Sequence, residues 1–599
     1  MKSFRNILIT FIVLPIIMAC NDDFLETEPL TEISEAALWQ DVNLVRSFIN
    51  NIYLGVPEPF RRGRLTANLV DEADYRGNTA SLNFNNCIIN QDATPMWLSM
   101  YYDLQWGDFY RRIRYCNYFL ENIERIENAD DELINKMIGE VVFLRAYLYH
   151  NMVAIWGGVP IITKTYELTD DFNVERDTYE SCVEFIVEEC NKAASLLPLV
   201  QDGSDRGRVT KGAALALKSR VLLYAASALH NTNHFNSFSN PELLGYVAGN
   251  QEERWIKARD AAKEVMDLGL YSLYKENPAP GDSIAQNLVD YFITQDFTEE
   301  DIWYKFFMEE KSEQMIGLYS APNGYHGWGT QAPIGDLVDD YEMADGTSFD
   351  WQNPEHASEP YKNRDQRFYA SIFFEGAQWR ERPGDVSGDP EGVIQVGTWE
   401  VWDAENNRKI EKHGLDTRSG GIEEWNGSYT GYYMRKFLDP AKDVSFIEGG
   451  GGGYQGVPYR FFRFGEILLN YAEACIELGE YDEALNALNR IRKRAGQPEI
   501  EITGDDLRDK YRNERRIELA FEEHRIHDVR RWMIGPEAYK PVKRAKVVYK
   551  LLPDNTTSTT PSITHEIFQE RSWDDKAYFM PIARDEINKN NALIQNPGY

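Results

Sequence analysis

The sequence predicts a mostly α-helical protein: a tetratricopeptide-like helical repeat scaffold of about four helix pairs, with an irregular loop-rich region that carries short strands. Three observations lead to this fold class. Long segments towards both ends of the chain place apolar residues at helical spacing, and residues 470–498 carry a repeat pattern. Between residues 278 and 459, Gly, Pro, Asn and aromatic residues are dense.

Helices are predicted where apolar residues recur every three or four positions. The helix predicted at 133–156 stops at Gly157, with Pro160 just beyond. Asp177 with Glu180 predicts a capping box for the helix at 178–197, and Thr210 is predicted to cap the helix at 211–229. The predicted helices span residues 104–126, 133–156, 178–197, 211–229, 252–268, 463–478, 481–494 and 506–532.

The helix pair within residues 470–498 has the pattern of a tetratricopeptide repeat. Ala472 and Ala484 are its small residues, Gly479 and Tyr481 its turn glycine and aromatic residue, and Leu488 its apolar knob. Small residues let two helices approach closely. Since one pair cannot bury its face alone, several pairs must stack, and the other predicted helices could supply three more degenerate repeats.

The segment 278–459 differs in texture from the rest of the chain. Its helices are short, and alternating apolar and polar residues predict strands at 301–307 and 368–374. Binding sites are concentrated on long loops that a rigid scaffold holds in place. We therefore expect the ligand-binding part of the protein here.

The first twenty residues are typical of an export signal. Lys2 and Arg5 give a positive start, residues 7–19 are mainly apolar, and Ala19 precedes Cys20. The apolar run is shorter than the roughly 20 residues of a membrane span. A cysteine in the first mature position resembles a bacterial lipoprotein signal, so we predict acylation of Cys20. An ordinary secretory signal followed by an incidental thiol is the alternative.

Four parts are therefore expected. They are a lipoprotein signal peptide at 1–19, an N-terminal helical-repeat part at 20–277, a loop-rich ligand-binding part at 278–459, and a C-terminal part at 460–599. The last part contains the final repeat pair and is expected to form one compact unit with 20–277.

Charge restricts the class of partner. The 599 residues carry a net charge of −33. Because nucleic-acid binding relies on Lys and Arg to neutralise phosphates, this charge argues against nucleic acid as a partner. It also opposes anionic lipid headgroups, so the lipid on Cys20 would hold the protein at a membrane. Aromatic residues make up 13% of the chain, enough for a core and for an exposed aromatic surface.

The other five cysteines show no pairing pattern. Cys182 and Cys190 lie on one predicted helix, about 12 Å apart at 1.5 Å per residue, too far for a disulfide. No C-x-x-C spacing indicates zinc. We expect these thiols to be free and buried.

Several segments together resemble the SusD/RagB family. The similarity runs from Cys20 to Tyr599, and its pieces are specific in this combination and order. They are 23–25 (DFL), 156–160 (WGGVP), 340–346 (DYEMADG), 363–365 (NRD), 434–437 (MRKF), 460–474 (RFFRFGEILLNYAEA) and 513–522 (NERRIELAFE), continued by Arg525, Asp528 and 530–532 (RRW).

This resemblance implies a surface lipoprotein of the Bacteroidetes that binds glycans or, in some members, peptides. Such a protein lies as a lid on a SusC-like TonB-dependent transporter in the outer membrane. The acidic residues after Cys20 look like the export tag of such lipoproteins. The family also implies a scaffold of four tetratricopeptide-like pairs and no catalysis, so we expect a non-enzyme without cofactor or metal.

The charged residues of the C-terminal signature are expected to be structural. Arg515, Arg516, Glu518, Arg525 and Asp528 fall at helical spacings that permit pairs along one helix. We predict that they form buried ion pairs and do not contact ligand.

Ligand contacts are predicted where aromatic residues stand beside short polar residues in loops. A sugar ring offers a patch of C–H groups to an aromatic face and a rim of hydroxyls to Asp, Asn or Arg. Asn323, Tyr325 and Trp328 fit best, because the glycines around them provide little packing and would leave the rings facing water. Ordinary packing of each ring is the alternative.

Two earlier segments are further candidates. Asp74, Tyr75 and Arg76 stand together before Gly77, and Trp97 follows Pro95 and Met96 just before the first long helix. The resemblance supports both, because the family often places ligand aromatics in such early loops. Each ring has the same packing alternative.

Other motifs favour structural roles. His524 and His527 are spaced H-x-x-H, whereas helical zinc sites usually have histidines at i and i+4 and a third ligand, so we predict surface or packed histidines. Asp282 or Ser283, in a G-D-S-I run, is predicted to cap a helix and not to serve as an esterase nucleophile.

A calcium loop and a catalytic carboxylate pair are two further alternatives for the acidic residues. Residues 385–389 (D-x-S-x-D) resemble half a calcium loop, but Pro390 replaces the glycine and Val396 the final Glu. No spacing of acidic residues indicates a glycosidase pair.

The sequence thus favours a cell-surface glycan-binding lipoprotein that captures oligosaccharides and delivers them to a SusC-like transporter. A peptide-binding member of the same family is the first alternative, and a surface glycoside hydrolase is the second.

Overall fold

The computed structural model describes residues 35–75, 79–102, 104–308, 313–386, 392–443, 446–447, 451–452 and 455–599. The predicted signal peptide, Cys20 and Arg76 lie outside these ranges, as do most positions of the half calcium loop.

Helices dominate the structure, so the predicted mostly α fold class is confirmed. The long helices pack in succession: Asp131–Trp156 against Tyr179–Leu196, then Lys211–Ala226, Gln251–Met266 and Phe464–Leu478. The helices span Glu35–Gln40, Val42–Leu54, Thr79–Asn85, Ala93–Tyr102, Trp106–Glu121, Asp131–Trp156, Tyr179–Leu196, Lys211–Ala226, Gln251–Met266, Ile284–Ile293, Ile316–Ser320, Gly335–Asp340, Pro354–Ser358, Gln366–Ser371, Phe464–Leu478, Tyr481–Arg494, Gly504–Glu518, Arg525–Arg531, Gly535–Ala538 and Arg584–Lys589.

The helix pair of the repeat pattern folds as the small residues require. Gly479 ends its first helix in the left-handed conformation, at a φ of 77°, and the chain turns into Tyr481–Arg494. Ala472, Ala484 and Leu488 are fully buried between neighbouring helices. Close approach of the two helices therefore depends on the two alanines, which leave room for the opposing backbone.

Several helix boundaries differ from prediction, most of all in the last predicted helix. Residues 506–532 do not form one helix: the chain leaves helical geometry after Glu518 and starts again at Arg525. Between them Phe521 and Glu523 have positive φ angles of 65° and 68°. Phe521 is fully buried in a core that it shares with residues distant in the chain, such as Phe60 and Tyr341, so tertiary packing overrides the helical pattern.

The cap of Tyr179–Leu196 is also different. Thr178, not Asp177, accepts the hydrogen bond of the first turn, from the Ser181 amide at 3.1 Å. The Asp177 carboxylate accepts instead from the Ile161 amide at 2.7 Å. The predicted caps Thr210 and Ser283 are confirmed, with bonds from the amides of Ala213 and Gln286.

Short strands lie mainly between and after the helical blocks. The largest sheet has four strands in the order Ser562–Gln569, Val542–Tyr549, Thr398–Asp403 and Arg408–His413; its central contact is parallel and the outer two are antiparallel. Asp301–Lys305 pairs antiparallel with Tyr459–Arg463. The other strands are Ala73–Asp74, Ala332–Pro333, Ile372–Phe373, Tyr433–Met434, Phe446–Ile447 and Gly451–Gly452.

The strand predicted at 301–307 is confirmed over Asp301–Lys305, but the one at 368–374 is largely a helix. Asp365 accepts a hydrogen bond from the Arg367 amide at 2.8 Å and starts the helix Gln366–Ser371. Only Ile372–Phe373 is a strand. The apolar pattern of this segment fits a helix or a strand, and the capping carboxylate favours the helix.

Apolar side chains gather in two large clusters. The first joins residues from Trp39 to Leu273 with residues from Phe461 to Leu593, so both ends of the chain share it. The second is built mainly from the loop-rich region and also includes side chains from residues 60–73, 517–521 and 542–547. Loops of residues 316–334 and 432–438 rest on this second cluster.

The predicted burial of the signature charges is confirmed, although their partners mostly come from other segments. Arg515 binds Asp528 at 2.9 Å, and Arg525 binds Asp71 at 2.8 Å. Glu518 accepts from Arg463 of the strand Tyr459–Arg463 at 2.8 Å. These ion pairs join distant parts of the chain and do not stabilise a single helix.

Cys87, Cys116, Cys182, Cys190 and Cys475 are free and buried, as predicted. Within the described ranges, no helix combines the length and apolar character that crossing a membrane requires.

Candidate functional site

Trp328 lies on a loop that hydrogen bonds hold firmly. Its amide donates to the Leu318 carbonyl at 2.7 Å, and the Thr330 amide donates to the Tyr319 carbonyl at 2.6 Å. The indole packs on the Tyr319 ring, with centroids 4.7 Å apart, and remains partly exposed. The structure therefore presents part of the Trp328 ring to solvent from a fixed backbone.

Asn323 and Tyr325 do not face water, contrary to the prediction. Asn323 is fully buried: its amide donates to the Ile422 carbonyl at 2.7 Å, and its carbonyl accepts from the Tyr433 hydroxyl at 2.6 Å. Tyr325 is also buried, with its ring 4.5 Å from that of Trp379. These two side chains build the loop that carries Trp328, and their polar atoms are engaged within the protein.

Arg64 brings the early segment and the Trp328 loop together. Its guanidinium lies over the Tyr319 ring at 5.2 Å and over the Tyr75 ring at 5.8 Å. Its Nε also donates to the Tyr75 hydroxyl at 3.1 Å. Tyr75 is buried. Trp328, Tyr319, Arg64 and Tyr75 thus form a continuous cluster, although Tyr75 supports it from within.

Asp74 is buried beneath the same cluster. It belongs to the strand Ala73–Asp74, which pairs with Ala332–Pro333 just after the Trp328 loop. Its carboxylate accepts from the Gln569 amide at 2.9 Å. Asp74 therefore fastens the early segment to the C-terminal part. Arg76 falls outside the described residues.

Trp97 lies within a helix and not in a loop. The helix Ala93–Tyr102 begins just before it, since Asn90 accepts from the Ala93 amide at 2.9 Å. The Trp97 side chain is partly exposed, and the neighbouring Met96 is 57% exposed. Trp97 thus keeps an accessible face as predicted for a ligand contact, on a different element.

Trp425 is the residue that the sequence analysis missed. It lies on the short turn Glu424–Asn426 and is 62% exposed. The turn contacts the Trp328 loop: a β-carbon placed on Gly329 would lie 2.6 Å from the Asn426 carbonyl oxygen. Trp425 precedes Asn426 and Gly427. This is the combination of an aromatic and a short polar residue that selected Trp328, so the same criterion could have identified Trp425 from the sequence.

Polar groups fix the Trp425 turn on two sides. Arg418 donates to the carbonyl oxygens of Trp425 and Gly427, each at 3.1 Å, and its guanidinium lies over the Tyr429 ring at 4.1 Å. On the other side, Glu423 accepts from the Asn426 side-chain amide at 2.9 Å. The exposed indole is therefore held on a turn of defined conformation.

His326 connects this turn to its neighbours. Its Nδ1 lies 3.1 Å from a Glu423 oxygen, and its Nε2 lies 3.1 Å from an Asp385 oxygen. Partial burial opposes the charged imidazole, but the hydrogen bonds to Asp385 and Glu423 outweigh it and raise the pKa of His326. The arrangement thus favours the charged form of His326 between two carboxylates.

His524 and His527 line a pocket of about 80 Å³ with His150 and Arg220. Burial lowers the pKa of His527 to about 3, and burial together with Arg220 lowers that of His524 well below its ordinary value. Across the described ranges, no three His, Cys, Asp or Glu side chains are placed to hold a metal ion.

Comparison with known proteins identifies the family. The SusD family model matches residues 289–599, and a second model, described as starch-binding associating with outer membrane, matches residues 23–223. The chain belongs to the SusD/RagB family, and the description of the second model associates such proteins with starch binding and the outer membrane.

Individual relatives agree with this assignment. The chain is 25% identical to SusD-like protein P38 of Formosa agariphila over 563 residues, covering 90% of this chain and 94% of that protein. A SusD-like protein from Bacteroides fragilis has a TM-score of 0.73 at 27% identity, covering 96% of this chain and 100% of the other. A SusD-like carbohydrate-binding protein from the same species has a TM-score of 0.66 at 23% identity, covering 93% and 100%, and shows the shared fold.

Proposed function

We propose that this protein captures oligosaccharides at the cell surface and delivers them to a SusC-like TonB-dependent transporter of the outer membrane. In this proposal, acylated Cys20 anchors the chain, which has no catalytic activity of its own. The observation that carries the proposal is the pair of neighbouring loops that expose Trp425 and part of Trp328.

The chemistry of these loops suits a sugar. Indole faces cover the C–H patches of pyranose rings, and nearby carboxylates and amides bond hydroxyls. Membership of a carbohydrate-binding family supports the same ligand class. The rings are held by backbone hydrogen bonds before ligand arrives, so little conformational entropy is lost on binding.

Binding to a panel of neutral and acidic oligosaccharides, measured by isothermal titration calorimetry, tests the proposal. Trp425→Ala and Trp328→Ala should each weaken binding of the best ligand by about 1–2 kcal/mol, as expected for central aromatic anchors. Phe172→Ala, which removes a ring that is 50% exposed in a different part of the chain, is the matched control and should bind like the wild type.

Three outcomes would contradict the proposal in different ways. Binding of peptides and no glycan would favour the peptide-binding alternative. Turnover of a glycan by the pure protein, seen by product analysis, would favour a surface hydrolase. Unchanged affinity in both tryptophan variants would place the site elsewhere.

Anchoring and partnership need separate measurements. Mass spectrometry of the mature N-terminus should find an acylated Cys20, and Cys20→Ser should release the protein from the membrane fraction. The wild type should co-purify with a TonB-dependent barrel from the native membrane. A mature form with an unmodified Cys20, or purification without a barrel, would contradict these two parts of the proposal.

A further inference from the structure

The geometry around His326 favours a charged imidazole. Each of its two ring nitrogens faces a carboxylate oxygen at 3.1 Å, one from Glu423 and one from Asp385. A neutral imidazole carries only one N–H, so it can donate only one of these bonds. Both contacts are hydrogen bonds only when the ring is an imidazolium. Loss of its proton would leave a nitrogen lone pair facing a carboxylate.

Glu423 transmits this contact to the Trp425 turn. Its second carboxylate oxygen accepts from the Asn426 side-chain amide at 2.9 Å, and its carbonyl accepts from the Asn426 amide at 2.7 Å. Glu423 and His326 both have positive φ angles, 40° and 59°. Such conformations are costly for residues with side chains unless neighbouring contacts hold them. The bridge supplies contacts of this kind on both sides.

The arginines near the bridge have partners of their own. Beneath the turn that leads to His326, Arg382 binds Asp416 at 2.7 Å, next to Gly324. On the far side of the Trp425 turn, Arg418 donates to backbone carbonyls. Asp385 and Glu423 are thus the charges that face His326, and its protonation decides whether both are held.

We propose that His326 is a positioning residue that fixes the Trp425 turn while it is protonated, and so makes carbohydrate binding at the Trp328 and Trp425 loops dependent on pH. This inference rests on the proposed function. Because the two carboxylates raise the pKa of His326, the ring stays protonated to a higher pH than an ordinary histidine. Binding is therefore strongest at low pH and weakens as the pH rises through the raised pKa.

The test measures affinity against pH with variants that preserve shape. Calorimetry from about pH 5 to about pH 9 should show wild-type affinity falling about three- to tenfold as His326 loses its proton. His326→Gln should bind weakly and without this pH dependence. Asp385→Asn keeps the side-chain shape, removes one carboxylate, and should move the fall in affinity to lower pH.

His234→Gln is the matched control. His234 Nε2 lies 2.8 Å from an Asp575 oxygen, and its ring contacts Phe235 and Tyr578, residues outside the Trp328 and Trp425 loops. This variant should keep the wild-type pH profile. A wild-type profile in His326→Gln, or loss of the profile in His234→Gln, would overturn the inference.

A measurement without ligand separates this inference from the proposed function. NMR titration should give His326 a pKa above the ordinary histidine value. In protein labelled with 5-fluorotryptophan, the ¹⁹F signal of Trp425, assigned with Trp425→Phe, should shift in the same titration. Failure of every glycan to bind would contradict the proposed function. An ordinary or lowered pKa, or a Trp425 signal that ignores the titration, would contradict the positioning role.

Discussion

At the residue scale, Glu523 is a carboxyl group that keeps its proton up to an unusually high pH. Both of its oxygens accept from the Thr66 amide, at 3.0 and 3.1 Å, and it lines the same pocket as His524. Burial raises its pKa to about 7, against which the Thr66 hydrogen bond has a smaller effect. The folded state therefore holds a proton that the unfolded chain releases near pH 4.5.

The sign of the pH dependence follows from this difference. The stabilising contribution of the Glu523 proton is complete below its ordinary pKa and disappears as the pH rises through about 7. Glu523→Gln should therefore reduce the loss of unfolding free energy between about pH 5 and about pH 8 by about 2–3 kcal/mol.

Urea unfolding at several pH values measures this effect. The exposed Glu124→Gln serves as the control and should keep the wild-type slope. Some slope will persist in Glu523→Gln, because burial and the neighbouring Asp71 raise the pKa of Glu72 to about 8. A slope in Glu523→Gln equal to that of the wild type would contradict the assignment.

Sequence alone could identify some residues of the candidate site and not others. A rule based on chain neighbours selected Trp328, and the same rule applies to Trp425. It could not show that Asn323 meets Ile422 or that Tyr325 meets Trp379, partners more than fifty residues away along the chain. Because the burial of a loop residue depends on such partners, the exposure of these rings could not be predicted from neighbouring residues in the sequence.

At the scale of elements, the helix Tyr179–Leu196 is capped by Thr178 and not by the neighbouring Asp177. Thr178→Ala should destabilise the protein by about 1 kcal/mol, because it removes the acceptor of the Ser181 amide. Thr178→Ser keeps the hydroxyl and should stay close to the wild type. Chemical unfolding compares the variants. Equal stability of Thr178→Ala and the wild type would exclude this cap.

Elements with long apolar periods were predictable, and those decided by distant contacts were not. The helices around 133–156 and 481–494 were predicted within two residues because their periodicity extends over several turns. The break between Glu518 and Arg525 depends on Phe521 entering the second core and on Glu523 meeting Thr66. Neither partner is visible from the residues of that segment.

At the scale of the whole molecule, buried charges connect the two cores. Glu518 ends one helix and accepts from Arg463, Arg494 and Arg367, which belong to a strand and two other helices. Burial opposes the charged form of Glu518, but the positive charges of Arg494, Arg463 and Arg367 outweigh burial and hold the pKa of Glu518 far below its ordinary value.

Removal of this charge should affect the entire fold. Glu518→Gln leaves buried arginines without their partner and should lower the unfolding free energy by about 3–5 kcal/mol. In the wild type, the depressed pKa means that this stabilisation is present above the ordinary glutamate range and is lost as the pH falls. Calorimetric unfolding of Glu518→Gln should show a single transition at a lower temperature than that of the wild type. The exposed Glu501→Gln should leave the transition unchanged. A loss below about 1 kcal/mol in Glu518→Gln would contradict this role.

The buried thiols have a consequence for where this chain can mature. Cys87, Cys116, Cys182, Cys190 and Cys475 form no crosslinks, and burial raises the pKa of Cys116 and of Cys182 to about 12. Sulfur in this state is a poor nucleophile and resists oxidants. The folded chain should consequently need no oxidative folding catalyst and tolerate equally an anoxic, sulfide-rich habitat or an aerated one.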